Sequence, residues 1–115
     1  MGRLTTHVLD TARGCPAAGM AYTLHAVAAD GSRRLLCSGL TNHDGRAAAP
    51  LLEGDALVVG NYELVFEVAA YFAAAGVAQA APPFLGSVPL AFGIADPAAH
   101  YHVPLLVSPW SYSTY

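Results

Sequence analysis

Asn61-Tyr-Glu-Leu-Val-Phe-Glu-Val68 is the stretch that decides the fold class. On an extended chain Tyr62, Leu64, Phe66 and Val68 fall on one face. Asn61, Glu63 and Glu67 fall on the other, joined by Val65. A period of two is the mark of a strand with one buried face. The pattern returns at Val88 to Ile94, where Val88, Leu90, Phe92 and Ile94 share a face opposite the small residues Ala91 and Gly93.

Working outward, turn residues punctuate the chain. Ala29-Asp30-Gly31-Ser32 separates the runs Met20–Ala28 and Arg33–Thr41 and predicts a hairpin. Asn42-His43-Asp44-Gly45 predicts a second turn. Gly14-Cys15-Pro16, Ala18-Gly19, Pro82-Pro83 and Asp96-Pro97 predict further breaks. One segment leaves the strand rhythm. Val68 to Ala75 is rich in helix formers and Gly76 follows it, which predicts a single short helix with a glycine stop. About seven or eight short strands with one helix predict an all-β sandwich, spanning residues 1–115 as one domain.

Composition narrows the function. Charged residues make up only 11% of the chain, against roughly 25% in an average domain, so a small monomer could cover little of its surface with charge. That shortage predicts outer surface buried against further copies. The five basic residues are all arginines and are scattered, with a net charge of −3. A phosphate backbone needs a clustered basic face, so nucleic acid is not an expected partner. No 18-residue apolar run predicts a membrane span, and the N-terminal Met-Gly-Arg-Leu-Thr-Thr-His lacks the apolar core of a secretory signal. The expectation is a cytoplasmic protein. Cys15 and Cys37 match no zinc or C-x-x-C spacing and are expected to be free thiols.

The candidate chemistry lies in the first and last strands and one turn. From Arg3 to Asp10, Leu4, Thr6 and Val8 point one way and Thr5, His7 and Leu9 the other. In the last strand Val103, Leu105 and Val107 point one way, and His100, His102, Pro104 and Leu106 the other. If the aliphatic sets face the core, His7 and His102 face outward. Arg46 closes the turn Asn42–Arg46. An outward histidine on a sheet, or an arginine after a turn, is most often only solvated. Together, two imidazoles and a guanidinium form a hydrolytic set: one imidazole takes a proton from water, the other polarises or protonates, and the guanidinium holds developing negative charge. His25 reads as a sheet-pairing position and His43 as a solvated turn residue. His100 and His102 lack further ligands at metal spacing. Ser108, Ser111 and Ser113 lack a nucleophile elbow, and there is no phosphate loop or dinucleotide fingerprint.

Leu4-Thr-Thr-His-Val-Leu-Asp10 with Gly14-Cys-Pro-Ala17, then Thr41-Asn-His-Asp-Gly-Arg46, then Ala99-His-Tyr-His-Val-Pro-Leu-Leu-Val-Ser-Pro-Trp-Ser-Tyr-Ser-Thr-Tyr115 resemble three signature blocks of the 5-hydroxyisourate hydrolases, in family order. Pro83-Phe84-Leu85-Gly86-Ser87 departs from the more acidic stretch of that family, outside all three blocks. The resemblance implies a transthyretin-like sandwich of two four-stranded sheets with one short helix. It implies a homotetramer, a dimer of dimers, with active sites in a channel between dimers. It implies His7, Arg46 and His102 as catalytic residues and Tyr115 as a substrate contact, the last from the family's terminal Tyr-Arg-Gly-Ser, of which this sequence ends at the tyrosine. His100 receives no role. The implied reaction opens 5-hydroxyisourate to 2-oxo-4-hydroxy-4-carboxy-5-ureidoimidazoline with no cofactor and no metal. The competing expectation is a transthyretin-type carrier that binds a small molecule without turning it over.

Overall fold

The computed structural model describes residues 1–115. The strands, in chain order, are β1 (Arg3–Thr5), β2 (Val8–Asp10), β3 (Cys15–Pro16), β4 (Ala21–Val27), β5 (Arg33–Leu40) and β6 (Leu52–Glu53). After a single 3-10 turn at Gly54–Ala56 come β7 (Gly60–Glu67), the helix α1 (Val68–Ala74), β8 (Ser87–Ile94), β9 (His100–His102), β10 (Leu105–Val107) and β11 (Tyr112–Ser113).

Four long strands make the first layer, in the order β5-β4-β7-β8 and antiparallel throughout. The alternation at Asn61–Glu67 is what places β7 in its centre. Tyr62, Leu64 and Phe66 are buried, and Glu63 and Glu67 lie on the opposite, wetter face. Phe66 pairs with Tyr22 and Leu64 with Leu24 on β4, so the apolar faces of neighbouring strands coincide. Each such side chain stabilises the fold by about 1.5–3 kcal/mol through burial. The predicted hairpin joins β4 and β5: Ala28 N–H donates to the Ser32 carbonyl and Ser32 N–H to Asp30 Oδ1. Between Leu24 and His25 the register slips and Leu36 is the extra residue, a bulge that adds local twist. His25 takes the predicted pairing position, opposite Glu63 and Leu35.

The helix forms where the strand pattern ends. Val68, Tyr71 and Phe72 recur at helical spacing and are buried against the sandwich. It stops at Gly76, whose φ is +80°. Gly76 N–H donates to the Ala73 carbonyl and Val77 N–H to the Phe72 carbonyl, the paired bonds of a Schellman motif. Tyr71 also ties the helix to β2. Its hydroxyl donates to Asp10 Oδ2 at 2.8 Å, the same oxygen that accepts Arg13 Nε. Burial pushes the Asp10 carboxyl upward, but the Arg13 and Tyr71 bonds outweigh it and hold its pKa below the ordinary value.

The second layer differs from the sequence reading. The stretches Arg3–Asp10 and His100–Val107 do not run as unbroken strands. Each is split, giving the patches β6-β1-β9 and β11-β10-β2-β3. The split is local, because β1 pairs with β9 and β2 with β10 in parallel at one shared register: Arg3 opposite His100, Val8 opposite Leu105. Backbone bonds from Val103 N–H to the Thr5 carbonyl and Leu105 N–H to the His7 carbonyl carry the sheet across the gap. The break falls where the Val103 carbonyl accepts the Thr6 hydroxyl and His7 forms a bridge to Arg46. Pro104, between the donors Val103 and Leu105, faces away from this ladder, where its missing N–H leaves no bond unmade. Pro104 is buried rather than outward, since the chain leaves strict alternation at this point. Thr6 is also buried, its hydroxyl donating to the Val103 carbonyl at 2.7 Å. The expected sandwich is present, with Leu4, Val8, Leu105 and Val107 facing Leu24, Leu64 and Phe66 in one core. No helix is long and apolar enough to cross a membrane.

Candidate active site

Arg46 is delivered by a turn that closes on itself. Asn42 Oδ1 accepts the N–H groups of Asp44 (2.9 Å) and Arg46 (3.1 Å), and Asn42 N–H donates to the Arg46 carbonyl at 2.7 Å. Gly45 is buried with φ +77°, a conformation that favours glycine. A Cβ there would also collide with the Val8 carbonyl oxygen. Val8 N–H donates to the Gly45 carbonyl at 2.8 Å. The turn is therefore pressed against the head of β2, and Arg46 forms an antiparallel bridge with His7.

His7 sits in the gap between β1 and β2. Its Nε2–H donates to the Asp44 carbonyl at 2.9 Å, which leaves Nδ1 as its uncommitted ring nitrogen. His102 lies opposite Thr5 in the parallel register. Its Nδ1 is 2.9 Å from Thr5 Oγ1. Although the ring remains accessible, partial withdrawal from water, followed by the positive charges of Arg46 and His7, lowers the His102 pKa from its ordinary value. The structure thus brings His7, Arg46 and His102 into one electrostatic neighbourhood.

A cavity of about 430 Å³ opens on this outer face. Arg3, Thr5, Arg46, Pro50, His100 and His102 line it, with a run of alanines after Arg46 and no carboxylate. Two guanidiniums and two imidazoles suit a planar anion. His7 does not itself line the cavity; its backbone forms the bridge to Arg46, which does. Tyr115 is exposed and outside the lining. Continuing the β10–β11 register, in which Leu106 faces Ser113, sets Tyr115 opposite Pro104. A second cavity of about 470 Å³ near Ala26, Leu36, Val59 and Tyr62 is mostly apolar and has Arg34 as its one charged group, so it offers no comparable chemistry.

Arg3, Thr5 and His100 are lining residues to which the sequence reading gave no role. The signal was present in the parity of each strand, since Thr5 shares a face with His7 and His100 with His102. What was missing was the parallel register that lays one set against the other. His100 Nε2–H donates to the Met1 carbonyl at 3.0 Å. His43 is the exposed turn residue expected, 3.4 Å from the Asp44 carboxylate. Cys15 and Cys37 are unpaired thiols.

The HIUase/Transthyretin family matches residues 4–115. A protein named 5-hydroxyisourate hydrolase from Ralstonia nicotianae is 60% identical over 115 residues, covering 100% of this chain and 97% of its own. Among solved structures, (S)-allantoin synthase superposes with a TM-score of 0.93 at 49% identity. The match covers 99% of this chain and 43% of that one, so this chain spans less than half of that protein. Klebsiella pneumoniae 5-hydroxyisourate hydrolase gives a TM-score of 0.81 at 32% identity, covering 100% and 97% of the two chains. Sea bream transthyretin in complex with thyroxine gives 0.85 at 30%, covering 98% and 92%. The fold, the three sequence blocks and these similarities agree that the chain belongs to the HIUase/Transthyretin family.

Proposed function

We propose that this chain is an enzyme that hydrolyses 5-hydroxyisourate to 2-oxo-4-hydroxy-4-carboxy-5-ureidoimidazoline, a step in urate breakdown. One observation carries the reading. Arg46 and His102 line a carboxylate-free cavity on the outer face of the sandwich, and His7 is bridged through its backbone to Arg46 and acts electrostatically on His102. The identity shared with the Ralstonia hydrolase supports it.

In this reading a water oxygen attacks the ring carbonyl while an imidazole of the His7–His102 pair takes the water proton. Arg46 holds the substrate anion and the oxyanion as it forms. Collapse breaks the carbonyl–nitrogen bond, a carboxylate forms, and the departing nitrogen regains a proton. A positioned general base accounts for roughly 10²–10⁴ in rate, and one oxyanion donor for roughly 10²–10³. Neither role calls for a cofactor or metal. Tyr115, carried on the strand end beyond β11, contacts substrate from the side of Pro104.

We also place the site inside a homotetramer built as a dimer of dimers. The cavity is open in one chain, and Leu35, Leu40, Phe84, Trp110 and Tyr112 are large apolar side chains left exposed. The unpaired thiols fit a reducing cytoplasm. Static light scattering at micromolar concentration is expected to report four chains, and a monomer would overturn the shared-channel reading.

The carrier reading draws on the likeness to sea bream transthyretin. The cavity argues against it, because a lining of two arginines and two histidines suits charge stabilisation better than apolar storage. The assay that decides generates 5-hydroxyisourate from urate in situ and follows its ultraviolet decay. The protein is expected to accelerate the decay, and the absence of any acceleration would overturn the hydrolase reading.

A further inference from the structure

Thr5 Oγ1 has two polar neighbours. The Tyr101 carbonyl oxygen is 3.5 Å away, and His102 Nδ1 is 2.9 Å away. A hydroxyl has one proton to give and lone pairs to receive with. The arrangement that uses both contacts is a relay in which His102 Nδ1–H donates to Thr5 Oγ1 and the Thr5 hydroxyl donates to the Tyr101 carbonyl. The carbonyl can only accept, so a relay through both contacts runs from His102 to Thr5 to Tyr101. With its proton on Nδ1, a neutral His102 carries its lone pair on Nε2.

We propose that Thr5 is a positioning residue of the hydrolytic site: held between the Tyr101 carbonyl and His102, its hydroxyl fixes His102 in the tautomer whose Nε2 is free to accept a proton from water. The proposal rests on the hydrolase reading for its catalytic meaning, but the tautomer itself does not.

The placement is built into the fold. Thr5 and His102 are direct partners in the parallel β1–β9 register, and both line the cavity. His7 is held differently, with its Nε2–H committed to the Asp44 carbonyl. The two imidazoles are therefore not equivalent. His102 lines the cavity and is the proton acceptor, whereas His7 does not line it and acts on His102 through its charge. The groups that act on His102 are Arg46 from the turn and His7 from the gap between β1 and β2, with Arg3 on β1 and His100 on β9 lining the same cavity. Arg46 and His7 favour the neutral ring that a base must have at neutral pH.

The test compares Thr5→Val, which keeps the shape and removes the hydroxyl, with Thr5→Ser, which keeps the hydroxyl. Two readings are made on each. One is the ¹⁵N chemical-shift pattern of the His102 ring, which reports the protonated nitrogen without any turnover. The other is the pH profile of kcat/KM with kcat and KM separated. In the wild type the ring proton is expected on Nδ1. Thr5→Val is expected to lose that preference and to lower kcat about 10–100-fold with KM little changed, the scale of losing a group that orients an imidazole. Thr5→Ser is expected to restore both. A wild-type proton on Nε2, or a Thr5→Val protein with unaltered tautomer and rate, would overturn the proposal, as would a Thr5→Ser protein as impaired as Thr5→Val. If the wild type shows the Nδ1 tautomer but no hydrolysis, the hydrolase reading fails while the tautomer control stands.

Discussion

Strands β4 and β7 run seven and eight residues without a break, whereas the facing stretches Arg3–Asp10 and His100–Val107 each break near the middle. An unbroken ladder commits its backbone groups to neighbouring strands and offers solvent only side chains. A broken one opens space. In the gap at Thr6-His7 a foreign turn can approach, and in the gap at Val103-Pro104 a side-chain hydroxyl replaces a ladder donor. The regular layer supplies most of the continuous pairing and the largest share of the core, and the interrupted layer carries the candidate chemistry. The lesson is a separation of duties that substitutions on each layer can test.

The largest effect should come from the interrupted layer. His102→Ala is expected to lower kcat/KM for 5-hydroxyisourate by about 10²–10⁴, and Arg46→Ala by about 10²–10³. Both side chains lie on the accessible outer face, so the melting temperature should move little. A His102→Ala protein as active as wild type would remove the last strand from the site. Thermal unfolding beside the decay assay reads both quantities.

The regular layer should respond in the opposite way. Leu64 is fully buried in the centre of β7. Leu64→Ala is expected to destabilise by about 2–5 kcal/mol through lost burial and the cavity left behind, measured by urea unfolding. The folded fraction should retain its kcat/KM. Stability kept and activity lost would mean that the regular layer positions the site directly, and the separation of duties would fail.

Gly45 joins the two regimes. Gly45→Ala forces a left-handed conformation that costs roughly 1–2 kcal/mol for a residue with a Cβ, and the added carbon meets the Val8 carbonyl. Stability and kcat/KM should fall together, because the turn that carries Arg46 must lift from β2. A loss of stability alone would show that Arg46 does not depend on this docking.

Much of the regular layer was legible in the sequence because strand parity is a local property. Tyr62, Leu64 and Phe66 needed only their own spacing to be assigned to the core, and the helix formers from Val68 to Ala75 with Gly76 behind them announced the helix just as locally. The outward placement of His7 and His102 followed from parity too. The breaks did not. Pro104 reads as outward if alternation is extended through it, and it is buried because the stretch breaks there, between β9 and β10, in a pairing with residues some hundred positions away. Thr5 looked like one more polar residue until the register set it opposite His102. Gly45 showed as a turn residue, but its need for close backbone approach depends on Val8, which lies in another part of the chain. Local periodicity carried the fold, and the site depended on long-range register.

The smallest effect is a titration, and it tests whether the gap gathers charge as well as side chains. Arg46 and His7 both act to keep His102 deprotonated, along with its partial withdrawal from water. The ring should therefore stay neutral as pH falls past its ordinary value of 6.5 and should protonate only below it. For a general base this sets the acid limb of kcat/KM, which reports the free enzyme. Activity should thus persist to a lower pH than an unperturbed histidine allows. Removing either neighbouring charge reverses the sign. In Arg46→Ala and in His7→Ala the His102 midpoint, followed by NMR so that lost activity does not matter, should move upward. Leu64→Ala should leave it in place, since the regular layer presents no charge to that ring. If all three variants share the wild-type midpoint, the cluster is close in sequence register but electrostatically uncoupled, and His102 would need another source for its readiness to accept a proton.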